Sequence, residues 1–140
     1  MSGETNLQRL IQTMSATLAD DLYVFVALGA NPIPSGIRPV MMFQEAEGTT
    51  LICHYQEALD HQLAYEFPCR MITLNVHSAL EAVGFIAKIA SALAAQGMGV
   101  NPVSGFYHDH LFIPDGREQD ALQILDKMVK AASTSTTTAA

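Results

Sequence analysis

The stretch "EAVGFIAKIASALAAQGMGVNP", Glu81 to Pro102, decides the fold. It passes through one glycine into an apolar run, breaks at two further glycines and then enters an extended segment. Phe85, Ile86, Ile89, Ala90, Leu93 and Ala94 recur at i, i+1, i+4, i+5, i+8 and i+9, so they lie on one stripe of a helix. Such a stripe needs a flat apolar partner, and Gly97 is well placed to end the helix in a left-handed cap.

Working outward, "RMITLNV" (Arg70 to Val76) reads as the strand that leads into this helix, after Pro68 punctuates the chain. Downstream, "GVNPVSGFY" and "HLFIP" read as two strands turning near His108 and Asp109. Asp115 and Glu118 then box the start of a last helix, whose stripe is Ala121, Leu122, Leu125, Met128, Val129 and Ala132. The second half is therefore strand, helix, hairpin, helix.

The first half mixes the same elements. Leu7, Leu10, Ile11, Met14 and Leu18 recur at helical spacing, with Thr5 and Gln8 as a capping box. "LYVFVALG" (Leu22 to Gly29) reads as a buried strand, and the Pro- and Gly-rich "ANPIPSGIRP" after it as a loop. "VMMFQE" and "TTLICHY" form a hairpin joined through Ala46, Glu47 and Gly48. A short helix over Gln56 to Leu63 follows. The pattern predicts an α+β protein, ferredoxin-like in character, with antiparallel sheet covered by helices on one face.

Composition bounds the function. At 140 residues and 49% hydrophobic, the chain can bury a core as one domain or as two small modules sharing a sheet. Its two cysteines, Cys53 and Cys69, have no CxxC spacing, so neither a zinc cluster nor a disulfide framework is expected. A net charge of −7 repels phosphate backbones, and nucleic acid is not an expected partner. No run approaches the roughly 20 apolar residues of a membrane span, and the N-terminus lacks a signal-peptide pattern, so a cytoplasmic protein is expected. The polar tail "STSTTTAA" (133–140) is expected to be disordered.

The run from Arg70 to Pro114 resembles an ACT domain: strand, loop, a Gly and an apolar pair opening a helix, a Gly break, then a strand. It is also similar to the regulatory half of aspartate kinases. Taken together, "EAEGTTLI", "VHSALEAVG" and "YHDHLFIP" resemble a family of small bacterial proteins built from two ACT-like units. The resemblance implies two side-by-side units, residues 1–68 with the N-terminal helix and 69–132, exchanging an edge strand, because neither half shows all its strands alone. It also implies a small-molecule ligand, an amino acid or a similar carboxylate, bound at an interface between units. No cofactor is implied. A homodimer is one assembly consistent with such a family.

Carried onto this chain, the resemblance assigns the ligand to the loop residues His77, Ser78, Glu81 and Ala82, the helix start at Gly84, Phe85 and Ile86, and Val100 with Asn101. Two departures stand out. The acidic residue often found in the loop of regulatory ACT domains is not obvious in "HSALEAVG", and Asn101 stands where some aspartate kinases have an acid.

The chemistry of these residues supports the same place. A helix N-terminus carries unpaired N–H groups and partial positive charge, which suit a carboxylate without any basic side chain. Gly84 lets a ligand approach the backbone, and Asn101 can both donate and accept. The competing reading makes Ser78 and Glu81 a capping box for a helix starting at Ala79, with Gly84 serving packing alone.

"HDH" aligns His108 and His110 on one face of an extended segment, a metal half-site or a hydrogen-bonding pair near a ligand. Glu45 in "EAEG" is a candidate for binding an amine. Ser78 has no GxSxG context, Cys53 sits in an apolar strand, and no Gly-rich phosphate loop occurs. The leading expectation is a non-enzymatic sensor or regulatory protein. The alternatives are a small ferredoxin-like enzyme or metal-binding protein using His108 and His110, and a partner-binding module with exposed sheet edges.

Overall fold

The computed structural model describes residues 3–138, the last four by backbone alone. The elements are α1 (Leu7–Thr13), β1 (Ala16–Gly29), β2 (Met41–Glu45), β3 (Gly48–His54), α2 (Tyr55–Asp60), β4 (Glu66–Leu74), α3 (Phe85–Ala94), β5 (Asn101–Ser104), β6 (Asp109–Pro114) and α4 (Glu118–Thr138). The strands are hydrogen-bonded in the order β2-β3-β1-β4-β6-β5, the antiparallel α+β arrangement the pattern predicts. Among the described residues no helix is long and apolar enough to cross a membrane.

Two compact units share this chain, one of Asp20–Arg70 and one of the residues up to Ala19 together with those from Met71 onward. In the first, β1 pairs with β3 from Tyr23↔His54 to Gly29↔Thr49, and β2 pairs with β3 from Met41↔Ile52 to Glu45↔Gly48. Val24, Val26 and Leu28 alternate onto one face and pack with Leu51, Cys53 and Ala58. No helix connects β1 to β2. The loop between them instead lays Ile37 and Ile33 against the same cluster, so it does the covering work of a crossover helix.

Gly48 shows why the hairpin needs glycine. Its φ is +131°, and a Cβ there would stand 2.3 Å from the Gly29 carbonyl oxygen. Pro68 does not end an element: β4 begins at Glu66 and runs through it. Phe67, with φ 54°, makes the start of β4 irregular, which is where a sheet accommodates proline.

The second unit holds α1, the first residues of β1, the end of β4, α3, β5, β6 and α4. Phe85, Ile89 and Leu93 of α3 are buried with Leu10 and Ile11 of α1, Leu111 and Ile113 of β6, and Ala121 and Leu125 of α4. Ile86 packs at the edge of this cluster, while Ala94 is exposed, so the stripe is narrower than its spacing suggests.

Several sequence boundaries move. The opening helix stops at Thr13, and Leu18 lies on β1 although it still packs against the same cluster. Its cap is Asn6, whose side chain accepts from Arg9 N, rather than Thr5. The Asn75 N–H and side-chain amide bond Ser15 O and Thr17 Oγ1, at 2.7 and 2.6 Å, which draws the chain after α1 into an extended path. In space α1 packs on α3 and α4, with Gln8 Nε2 donating to Ala132 O at 2.9 Å. The stretch expected to be disordered is helical through Thr138, and the final two residues lie outside the described range.

β1 and β4 pass through both units. Ala16–Ala19 of β1 and Met71–Leu74 of β4 fall in the second unit, and the remaining residues of both strands in the first.

Candidate functional site

The site is built at the start of α3. Gly84 is the N-cap, held at φ 89°, and no side chain caps the helix. The first intrahelical bond runs from Lys88 N to Gly84 O at 2.9 Å, so the N–H groups of Phe85, Ile86 and Ala87 precede it. The alternative helix start at Ala79 is not adopted. Ser78 does not cap α3, because its hydroxyl donates to Asp109 Oδ2 at 2.9 Å.

Asp109 is the buried charged side chain among the described residues, 5% exposed. It is the first residue of β6, in phase with Leu111 and Ile113, so the pleat carries its carboxylate to the core face. Ser104 of β5 pairs directly with it, which puts the two side chains on the same face. Ser78, Ala82, Gly84, Phe85, Ile86, Ser104 and Asp109 all line one pocket of about 210 Å³.

The loop that carries Ser78 is held from behind. Glu4 N donates to His77 O at 2.8 Å and Ala79 N donates to Glu4 O at 2.9 Å, a short parallel bridge. Gly3 makes this possible, since a Cβ there would lie 2.7 Å from Ala79 N. His77 does not line the pocket. Its ring stands 5.4 Å from Tyr107 and 6.3 Å from Phe106, in an aromatic group on the β5–β6 turn. Leu80 lines the pocket, and Val83, Phe106 and Tyr107 lie on the two loops that carry its lining residues; all four are more than half exposed.

Other sequence candidates fall elsewhere. Glu81 is exposed on the loop. α3 carries the chain back about 15 Å, so β5 starts near the far end of the helix and only its last residue, Ser104, reaches the pocket. Val100 and Asn101 therefore sit away from it, Val100 against the core and Asn101 paired with Phe112. His110 points opposite to Asp109; its Nδ1 is bonded to Thr73 Oγ1 at 2.9 Å. Burial and then the neighbouring His108 hold its pKa below the ordinary histidine value. Among the described residues no three His, Cys, Asp or Glu side chains converge on a metal position. Glu45 belongs to the other unit, where it accepts a hydrogen bond from Thr50. Cys53 is buried there, and burial raises its thiol pKa.

Two larger hollows, of about 290 and 530 Å³, border α4. Their charged lining residues, Asp126 in one and Arg117, Asp120 and Lys127 in the other, are not buried, so neither combines a buried charge with a helix start.

ACT-domain family models match the chain twice, over residues 2–70 and 66–127. The chain belongs to the ACT-domain family. This ACT protein is 37% identical to a solved Vibrio cholerae protein of unknown function, named a possible transport protein, over 91% of this chain and 99% of that one (TM-score 0.78). An Agrobacterium tumefaciens protein shares the fold at 17% identity, over 83% and 89% of the two chains (TM-score 0.70). So does the regulatory subunit of aspartate kinase from Thermus thermophilus, at 16% identity over 84% and 97% (TM-score 0.62). A comparison with curated proteins found no match. The tandem arrangement of two ACT-like units thus agrees with the family matches and with the sheet order.

Asp109, which the sequence pattern places at a turn, is a strand residue whose side chain belongs to the pocket. The signal was present: an acid in phase with Leu111 and Ile113 belongs to the buried face of its strand, where a charge calls for a partner.

Proposed function

We propose that this ACT protein is a regulatory sensor that binds an amino acid in the pocket at the start of α3. The observation that carries the proposal is the pairing, in one pocket, of an uncapped helix start with a buried carboxylate. The ligand α-carboxylate bonds the N–H groups of Phe85, Ile86 and Ala87, where the helix supplies positive potential. The α-ammonium meets Asp109 Oδ1, while Ser78 keeps Oδ2 occupied and the carboxylate oriented. Asp109 thus takes the role of the loop acid that is not obvious in "HSALEAVG", whose Glu81 is exposed and does not line the pocket. A volume of about 210 Å³ is below the roughly 300–1,000 Å³ of drug-sized sites and suits a small metabolite.

A second copy of the chain covers the apolar rim of Leu80, Val83, Phe106 and Tyr107, and binding biases this association. A ligand shifts an equilibrium only through unequal affinity for its two states, so a pocket whose rim is covered in one of them gives ligand-linked dimerisation.

The test is thermal unfolding of the protein with each common L-amino acid, repeated with Asp109→Asn. A binding amino acid at a hundred times its Kd stabilises the protein by about 2.7 kcal/mol. Stabilisation that disappears in Asp109→Asn supports the site, whereas stabilisation unchanged by that substitution places the ligand elsewhere. Light scattering with and without the stabilising amino acid tests the association.

A further inference from the structure

We infer that the pocket selects an amino acid with a small, uncharged side chain and rejects both dicarboxylic and dibasic ones. The inference rests on the amino-acid reading above and adds the class of side chain.

Charge comes first. Asp109 is the ionisable residue among the described ones that line the pocket, and the ligand ammonium consumes it. A second carboxylate on the ligand would share this space with Asp109 and find no Lys or Arg among the described lining residues. The basic side chain nearest in sequence, Lys88, lies one helical turn beyond Gly84 and borders a different hollow, with Gln8 and Met128. Two carboxylates with one ammonium between them leave a negative charge uncompensated in a partly dry site. A ligand with a second ammonium has the converse difficulty, since Glu81 is exposed and does not line the pocket.

Size comes next. The apolar walls beyond the two anchors are Ala79, Ala82 and Ala87 with Leu80, Phe85 and Ile86, and the space they leave is about 210 Å³. Ala82 is partly buried against the core cluster, so this wall cannot retreat without repacking. A space of this size suits a short side chain better than a large aromatic one. Ser104 is the remaining polar side chain on the Asp109 face, directly opposite it in the β5–β6 ladder. Its hydroxyl can bond a ligand hydroxyl, which favours a hydroxylated side chain over an aliphatic one of equal size.

Isothermal titration calorimetry on the full chain tests this with alanine, serine, threonine, valine, aspartate, glutamate, lysine, arginine and tryptophan. Small uncharged amino acids are expected to bind at least tenfold more tightly than the charged ones and tryptophan. Ser104→Ala is expected to lower threonine affinity severalfold and leave valine unchanged. Ala82→Leu, checked for unchanged circular dichroism, is expected to weaken threonine and valine more than alanine. If aspartate or lysine binds as tightly as threonine, and Asp109→Asn abolishes that binding, the site stands and the selectivity inference is overturned. If no amino acid binds, both fall.

Discussion

Ser78 Oγ and Asp109 Oδ2 lie 2.9 Å apart and tie the loop before α3 to the first residue of β6, thirty-one positions later in the chain. The bond fixes a buried carboxylate beside the start of a helix. Ser78→Ala removes the donor and leaves Oδ2 buried without it, at a cost of about 1–3 kcal/mol. Urea unfolding of the two proteins measures this. Ligand affinity is expected to fall in the same variant, because Asp109 loses its orientation.

Gly84→Ala tests the helix start without changing charge. The added Cβ would meet Leu7 Cδ2 at 3.5 Å, an ordinary contact, so sterics alone do not forbid it. The left-handed φ of 89° does penalise it, by about 1–2 kcal/mol. The expected result is a lower urea midpoint together with weaker amino-acid binding, because the backbone around Phe85 must shift. A variant that binds normally would show that the geometry of this cap is immaterial to the ligand.

The bridge between Glu4 and Ser78 makes a prediction about the N-terminal segment. Gly3→Val places a Cβ 2.7 Å from Ala79 N at a φ of +96°, so the segment must peel away from the loop. Global stability is expected to change by about 1–3 kcal/mol at most. Hydrogen exchange at Ala79 N–H is expected to accelerate far more, since its acceptor, Glu4 O, is displaced. Unchanged protection at Ala79 would contradict this role for the bridge.

In the other unit, His61 stands 3.0 Å from both Glu57 O and Ser35 O through its two ring nitrogens. Only the protonated imidazole can donate to both carbonyls. These two bonds, Glu57 O first, raise its pKa above the ordinary value, with Asp60 and the Glu57 carboxylate adding attraction. Because the folded-state pKa is the higher one, this contribution is complete below the unfolded value of about 6.5. It is lost as pH rises through the folded value. Urea midpoints from pH 5.5 to 8.5 should therefore show wild type falling relative to His61→Ala, and parallel profiles would contradict the assignment. Looser attachment of the segment around Ser35 should accompany the loss.

Most element types were legible in the sequence, because they depend on local periodicity and turn chemistry, and the family was legible in the resemblance of three motifs in order. The stripe from Phe85 to Leu93, the glycine breaks at Gly84 and Gly97, and the hairpin around Gly48 are each legible within a few residues. The sequence also located the helix start that lines the pocket. Tertiary structure alone decided which distant residues share that pocket. Asp109 and Ser78 meet because β6 lies beside β4 in the sheet, a relation that no local pattern records. Asn101, near α3 in sequence, is carried away from its start by the length of the helix itself. The end of α1 was likewise settled by Asn75, sixty positions away from the Ser15 that it holds. Secondary structure follows short-range sterics and burial period, whereas a site follows from hydrogen bonds between strands that the chain brings together only when folded.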